Sequence, residues 1–173
     1  MAEETTTSDA RLAARYGAPQ PWSPPEWNHT LDLLLRHRSH RLWLDAGVDE
    51  TTLRTILAAA QSGSTSSNQQ VVSVVAVRDQ RRRDALAEVA GARQAPHIRA
   101  APLVLVWLID YSHARLLAER DGAEIDGQDY LDAVLVGATD IGIAGQNAVT
   151  AAESLGLGGV ALGGPVLGRL VPG

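Results

Sequence analysis

Apolar positions recur at helical spacing in several stretches of this chain, and these alternate with short runs rich in valine and leucine. Leu31, Leu34 and Leu35 predict a short helix from about His29 to Arg36 with one apolar side. Leu53, Ile56, Leu57 and Ala60 predict another, capped by Asp49, preceded by Val48 and running to about Ser62. Val71–Val77 reads as a strand, and Asp79 to Ala90 as a surface helix with Leu86 and Val89 turned inward. Leu103–Ile109 is apolar on both faces, the pattern of a buried central strand. Tyr111–Arg120 predicts a further helix, and residues 129–155 carry the longest helical pattern of all. Gly158–Leu162 then reads as a short strand and Gly163-Gly164-Pro165 as a turn.

Two stretches break the alternation. Residues 1–26 read as a tail or arm, because Pro19, Pro21, Pro24 and Pro25 oppose a helix. Trp22 and Trp27 are expected to lay its later part against the body, which would occupy residues 27–173. The long helix holds Gly137, Gly142 and Gly145 in its interior, where each glycine costs about 1 kcal/mol against alanine. Either another backbone approaches closely there, such as a partner subunit's, or the helix is internal and kinked. Few strands among many helices predict an α+β or α/β class.

Composition removes whole chemistries. The 173 residues carry 15 basic and 20 acidic side chains, a net charge of −5, which opposes a general nucleic-acid surface. Every basic residue is arginine, so lysine Schiff bases and the Walker lysine are excluded. Cysteine is absent, and with it thiol nucleophiles, disulfides and zinc–thiolate sites. The opening residues are acidic and polar, and no run reaches the roughly 18 apolar residues of a membrane span. A cytoplasmic protein, free of membrane, is the expectation.

Three segments could hold a ligand. His37-Arg-Ser-His-Arg41 concentrates two guanidinium groups, a hydroxyl and two imidazoles, suited to a phosphate or a polarised carbonyl; a helix C-terminus explains the same cations. No acidic partner stands at metal-ligand spacing from His37 and His40, so no metal site is expected. Ser62–Gln70 offers hydroxyls and amides without charge, suited to a heterocycle but equally ordinary for a polar loop. The glycines from Gly156 to Gly164 satisfy a loose dinucleotide fingerprint but follow a helix and open a strand, the reverse of the Rossmann order. They leave backbone that a flat ligand can approach. No catalytic acid, base or nucleophile stands out.

Taken in order, His37-Arg-Ser-His-Arg41, Ala58-Ala-Ala-Gln-Ser-Gly-Ser-Thr-Ser-Ser-Asn68, Gln94 with Ala101-Pro102, and the run from Ala144 to Gly164 resemble the nitroreductase family. The similarity is to its NADPH-dependent FMN reductase and oxygen-insensitive nitroreductase branch. It implies a three-layer α+β fold, a mainly antiparallel central sheet flanked by helices, and a homodimer with FMN at the interface. It implies that His37, Arg38, Ser39 and Arg41 hold the FMN phosphate and pyrimidine. Thr65, Ser67 and Asn68 would contact FMN, often from the other subunit, and Gln94 would reach the ring. Ala161, Leu162, Gly163 and Gly164 would line the isoalloxazine. The implied activity passes hydride from NADPH or NADH through flavin N5 to a small-molecule acceptor: nitroaromatic, quinone, flavin or similarly electron-poor. Alternatives are a non-catalytic or partner-dependent homologue, and a flavin-dependent oxidase or dehydrogenase of a biosynthetic intermediate. Family chains continue past the Gly-Gly turn into a further strand, a basic segment and an arm, so the resemblance implies a chain short at its C-terminal side.

Overall fold

A computed structural model describes residues 7–22, 24 and 26–163. The elements run α1 (Ser8–Tyr16), α2 (His29–Arg36), α3 (Glu50–Gln61), β1 (Val72–Val77), α4 (Gln80–Ala90), α5 (Ala95–Ala100), β2 (Val104–Ile109), α6 (Ser112–Asp121) and α7 (Leu131–Ser154). The order is α+β. Among the described residues the sheet is one antiparallel pair, with Val72 opposite Ile109 and Val77 opposite Val104.

Side chains alternate across this pair, so Leu105, Trp107 and Ile109 share one face with Ala76, Val74 and Val72. That face meets α3 and α7: Leu105 and Trp107 pack on Ile56, Ala60 and Ala148. On the opposite face, Val104 packs against the α4–α5 cluster of Ala87, Ala95 and Ile98. Three layers result. The second face is covered only at this end by described residues; Val75 and Leu108 stay 45% and 43% exposed. The expectation that β2 is buried on both faces is therefore corrected. A two-stranded ribbon has two edges and too few neighbours to enclose either strand.

Capping explains most boundaries. Asp49 accepts from the Thr52 N–H at 2.8 Å and opens α3, whose buried residues Leu53, Ile56 and Ala60 follow helical spacing. In α2 the buried leucine is Leu33, whereas Leu34 points to solvent at 43%, so the apolar side is rotated from the one expected. Within the stretch expected to be a tail or arm, Ser8–Tyr16 form α1. Thr7 caps α1, Leu12 is 2% exposed, and Arg11 forks onto Asp32 of α2 at 2.7 and 3.3 Å. Pro19, Pro21 and Pro24 lie beyond α1, in the connection to α2, where they cost no helical hydrogen bond. Trp27 is half-buried and Trp22 is 55% exposed.

One glycine of α7, Gly137, finds its reason inside the chain. A Cβ on Gly137 would lie 2.6 Å from Ile109 Cγ2, and one on Gly145 would lie 3.9 Å from Trp107 Nε1. At Gly137 only glycine lets the helix settle this closely on β2, whereas the contact at Gly145 is of ordinary length. Gly142 faces open space. No helix among the described residues is long and apolar enough to cross a membrane.

At the end of β2, Asp110 ties strand to helix. Its carboxylate accepts from Ser112 Oγ at 2.6 Å, Ser73 Oγ at 2.7 Å and the Ser112 N–H at 3.0 Å. The Ser112 hydroxyl first, then Ser73, hold its pKa down at about 2, below the ordinary 3.8. A depressed carboxylate pKa means stability that is complete above pH 3.8 and is lost as pH falls through about 2. A carbon-detected NMR titration should give Asp110 a midpoint near 2, and Ser112→Ala should raise it more than Ser73→Ala does. A wild-type midpoint near 3.8 would show these bonds absent in solution.

Candidate functional site

The end of α7 builds the site. Gly156, at φ +79°, reverses the chain; the Gly156 N–H donates to Glu153 O and the Leu157 N–H to Ala152 O, closing the helix. The chain then runs beside the His37–Arg41 segment. The expected strand at Gly158–Leu162 is reduced to one parallel bridge, Ser39 with Gly159, in which the His40 N–H donates to Gly159 O at 3.0 Å. At Gly158 a Cβ would stand 2.7 Å from His40 Cδ2, so this glycine permits the close approach.

Beyond the bridge, Arg41 faces an opening of about 610 Å³ lined with Arg93, Gln94, His97, Ala161, Leu162 and Gly163. Five residues expected at a ligand site thus come together: Arg41, Gln94, Ala161, Leu162 and Gly163. Gln94 also braces the strip, since its Nε2 donates to Gly163 O at 3.2 Å. Arg93 and His97 escape the sequence reading because α5 is only six residues long, too short for a helical period to show. No carboxylate lines the opening, and neither Arg41 nor Arg93 forms an ion pair among the described residues. Its field is positive.

The other expected residues lie apart. His37 Nδ1 meets Glu153 Oε1 at 2.7 Å, fastening the segment to α7. Arg38 turns toward α1: it donates to Ala14 O and to His37 O, both at 2.9 Å, at the negative end of that helix. Arg15 also donates to His37 O. Ser39 is exposed and engages the strip through its backbone. Thr65, Ser67 and Asn68 do not line the opening. Thr65 precedes a short 3-10 turn, Ser66–Asn68, in which Ser67 and Asn68 have φ of +51° and +54°. Gly164 lies outside the described residues. No cluster that could hold a metal ion occurs among the described residues.

The donor set tests what could bind. A guanidinium fork suits a phosphate or an anionic oxygen. A side-chain amide and exposed backbone on a side-chain-poor strip suit the edge and face of a flat heterocycle. Arg41, Gln94 and Ala161–Gly163 supply these around one opening large enough for such a ligand, so the residues present fit a phosphorylated flavin.

Comparison with known proteins points the same way. Residues 34–167 match the Nitroreductase family. The chain is 40% identical over 138 residues to the NADPH-flavin oxidoreductase of Vibrio harveyi, covering 79% of this chain and 54% of that protein. It is 39% identical over 137 residues to the FMN reductase [NAD(P)H] of Bacillus subtilis, with 79% and 54% covered. Among solved structures, B. megaterium NfrA2 superposes with a TM-score of 0.73 at 39% identity, covering 76% of this chain and 53% of that one. The V. harveyi NADPH:FMN oxidoreductase solved with NAD+ gives 0.66 at 37% identity, with 76% and 54% covered. This chain spans about half the length of the relatives it matches.

Proposed function

The chain belongs to the nitroreductase family, and from that premise we propose that it binds FMN and serves as an NAD(P)H-dependent flavin oxidoreductase. The observation that carries this reading is the opening formed by Arg41, Gln94 and the strip Ala161–Gly163. FMN, when bound, supplies two-electron hydride chemistry that no side chain here can provide. Arg41, with Arg93 beside it, holds an anionic oxygen of the cofactor. The Gln94 carbonyl oxygen remains to accept from the ring edge while its amide holds Gly163. The exposed backbone of Ala161–Gly163 gives the ring a face to rest on. The names of the Vibrio and Bacillus relatives support both the cofactor and the nicotinamide donor. Electron-poor small molecules (nitroaromatics, quinones, free flavin) are the proposed acceptors.

Thr65, Ser67 and Asn68 lie outside this opening, and their proposed role is to contact the FMN held by a second copy of the chain. Leu131, Val134 and Leu135 give α7 an exposed apolar stripe, 54–72% accessible, on which two copies could pack with twofold symmetry.

The test is direct. Purified chain incubated with FMN and desalted should stay yellow and sediment as a dimer, and its flavin should bleach anaerobically with NADPH or NADH. A colourless protein that ignores added FMN would overturn the proposal. Bound flavin that neither nucleotide reduces would leave binding and remove the reductase activity.

A further inference from the structure

One carboxylate in the interior lies away from the opening and has no part in lining it. The buried positions of α7 are Ala133, Gly137, Asp140, Ala144 and Ala148, a stripe at helical spacing in which four members carry no polar side-chain atom. Asp140 breaks the pattern and is only 2% exposed. Burying a carboxylate is costly unless its oxygens are hydrogen-bonded. No arginine or histidine pairs with it among the described residues. Among the described residues its side-chain oxygens are held by Ser66 alone. The Ser66 N–H stands 3.2 Å from both Oδ1 and Oδ2, and the Ser66 hydroxyl donates to Oδ1 at 3.2 Å.

The backbone just beyond Ser66 explains why such an anchor is needed. Ser67, Asn68 and Gln70 have φ of +51°, +54° and +50°, left-handed conformations that asparagine tolerates but that serine and glutamine adopt rarely. Within the loop the bonds are all local: the Asn68 N–H donates to Thr65 O at 3.3 Å, the Gln69 N–H to Ser66 O at 3.0 Å, and Gln70 Nε2 to Asn68 Oδ1 at 3.0 Å, so they close the turn on itself without fixing it to the body. The far end is fixed by Val71, 1% exposed, whose carbonyl accepts from the Asp110 N–H at 2.7 Å. The near end is fixed by Asp140.

We infer that Asp140 is a positioning residue: from the centre of α7 it holds Ser66, and thereby sets the left-handed Ser67–Asn68 pair in the conformation that meets FMN. This rests on the proposed role of Thr65, Ser67 and Asn68 as cofactor contacts. Asp140 touches no cofactor itself and acts through Ser66. The arrangement ties the cofactor loop to the helix that carries the apolar stripe, so loop geometry and helix position change together.

Two measurements test it on the full chain. Amide hydrogen exchange of the FMN-free protein reads the loop itself, and an FMN fluorescence titration reads its consequence. Asp140→Asn replaces one acceptor oxygen with a donor facing a donor. It should speed exchange at residues 66–70 about tenfold, leave exchange in the α3 core unchanged, and raise the FMN dissociation constant about tenfold. Ser66→Ala removes the hydroxyl alone and should move both readouts in the same direction by a smaller factor, about threefold. Ser66→Thr keeps both donors and should restore wild-type values. Were Asp140→Asn not to fold, the Ser66 pair decides: alanine and threonine behaving alike overturns the inference. Unchanged loop exchange in folded Asp140→Asn overturns it too, as does a general loss of protection in which the loop is no worse than the core. A wild-type chain that binds no FMN overturns the reading of the site, and the exchange data then show separately whether Asp140 holds the loop.

Discussion

Arg41→Ala is expected to weaken FMN binding tenfold or more while leaving the fold intact. Arg41 is exposed on the edge of the opening and forms no ion pair among the described residues, so its removal frees no buried partner. A charge-assisted hydrogen bond is worth roughly 1.5–3 kcal/mol, and each 1.4 kcal/mol is a factor of ten in affinity. Arg38→Ala should do less to FMN affinity, because the Arg38 guanidinium is occupied by the carbonyls of Ala14 and His37. Its loss should loosen α1 instead. Arg41→Lys keeps the charge but not the planar fork, and should fall between wild type and alanine. Titration of flavin fluorescence, with circular dichroism to verify folding, measures all three. Equal FMN affinity in Arg41→Ala and wild type would remove Arg41 from the site.

That contrast between two arginines three residues apart shows how far the sequence can be read. The cluster His37–Arg41 is visible as a candidate anion site by composition, and its resemblance to a family gives it a ligand. Which guanidinium turns where depends on α1, and α1 is hidden. The prolines between Ala18 and Glu26 dominate that stretch, whereas the signals for α1 are a Thr7 cap and one buried leucine. Helices α3 and α4 are legible to within a residue because Asp49 and Asp79 announce them as caps. Helix α5 is not, with six residues and Pro96 near its start, and Arg93 and His97 are lost with it. Asp140 is equally hard to find. Its burial depends on the rotation of α7 on the sheet, where Gly137 comes closest, against Ile109. A glycine in a helix signals a close approach, but sequence alone does not say which backbone or side chain approaches.

The same contact yields the largest expected change in stability. Gly137→Leu should destabilise the protein by about 3 kcal/mol, at the upper end of what overpacking usually costs. Even the first added carbon would sit 2.6 Å from Ile109 Cγ2 and 3.0 Å from its Cγ1 and Cδ1. Isoleucine cannot swing clear, because its branched Cβ restricts χ1 and Cγ2 sits on that branch. Opposing this, replacing a helical glycine recovers up to about 1 kcal/mol of intrinsic propensity. For Gly137→Ala the two terms are comparable and the net loss should be small, about 1 kcal/mol. For leucine the clash wins. At this chain length 3 kcal/mol corresponds to a fall in Tm of about 10 °C, which a calorimetric scan resolves. Ile109→Ala removes the opposing atoms, so Gly137→Ala should cost less in that background than alone, a coupling between touching residues. Relief of the clash by lifting α7 would also draw Asp140, three residues on, away from Ser66. Flavin affinity should therefore fall further in Gly137→Leu than in Gly137→Ala. A Gly137→Leu protein melting at the wild-type temperature would show that α7 does not rest on Ile109.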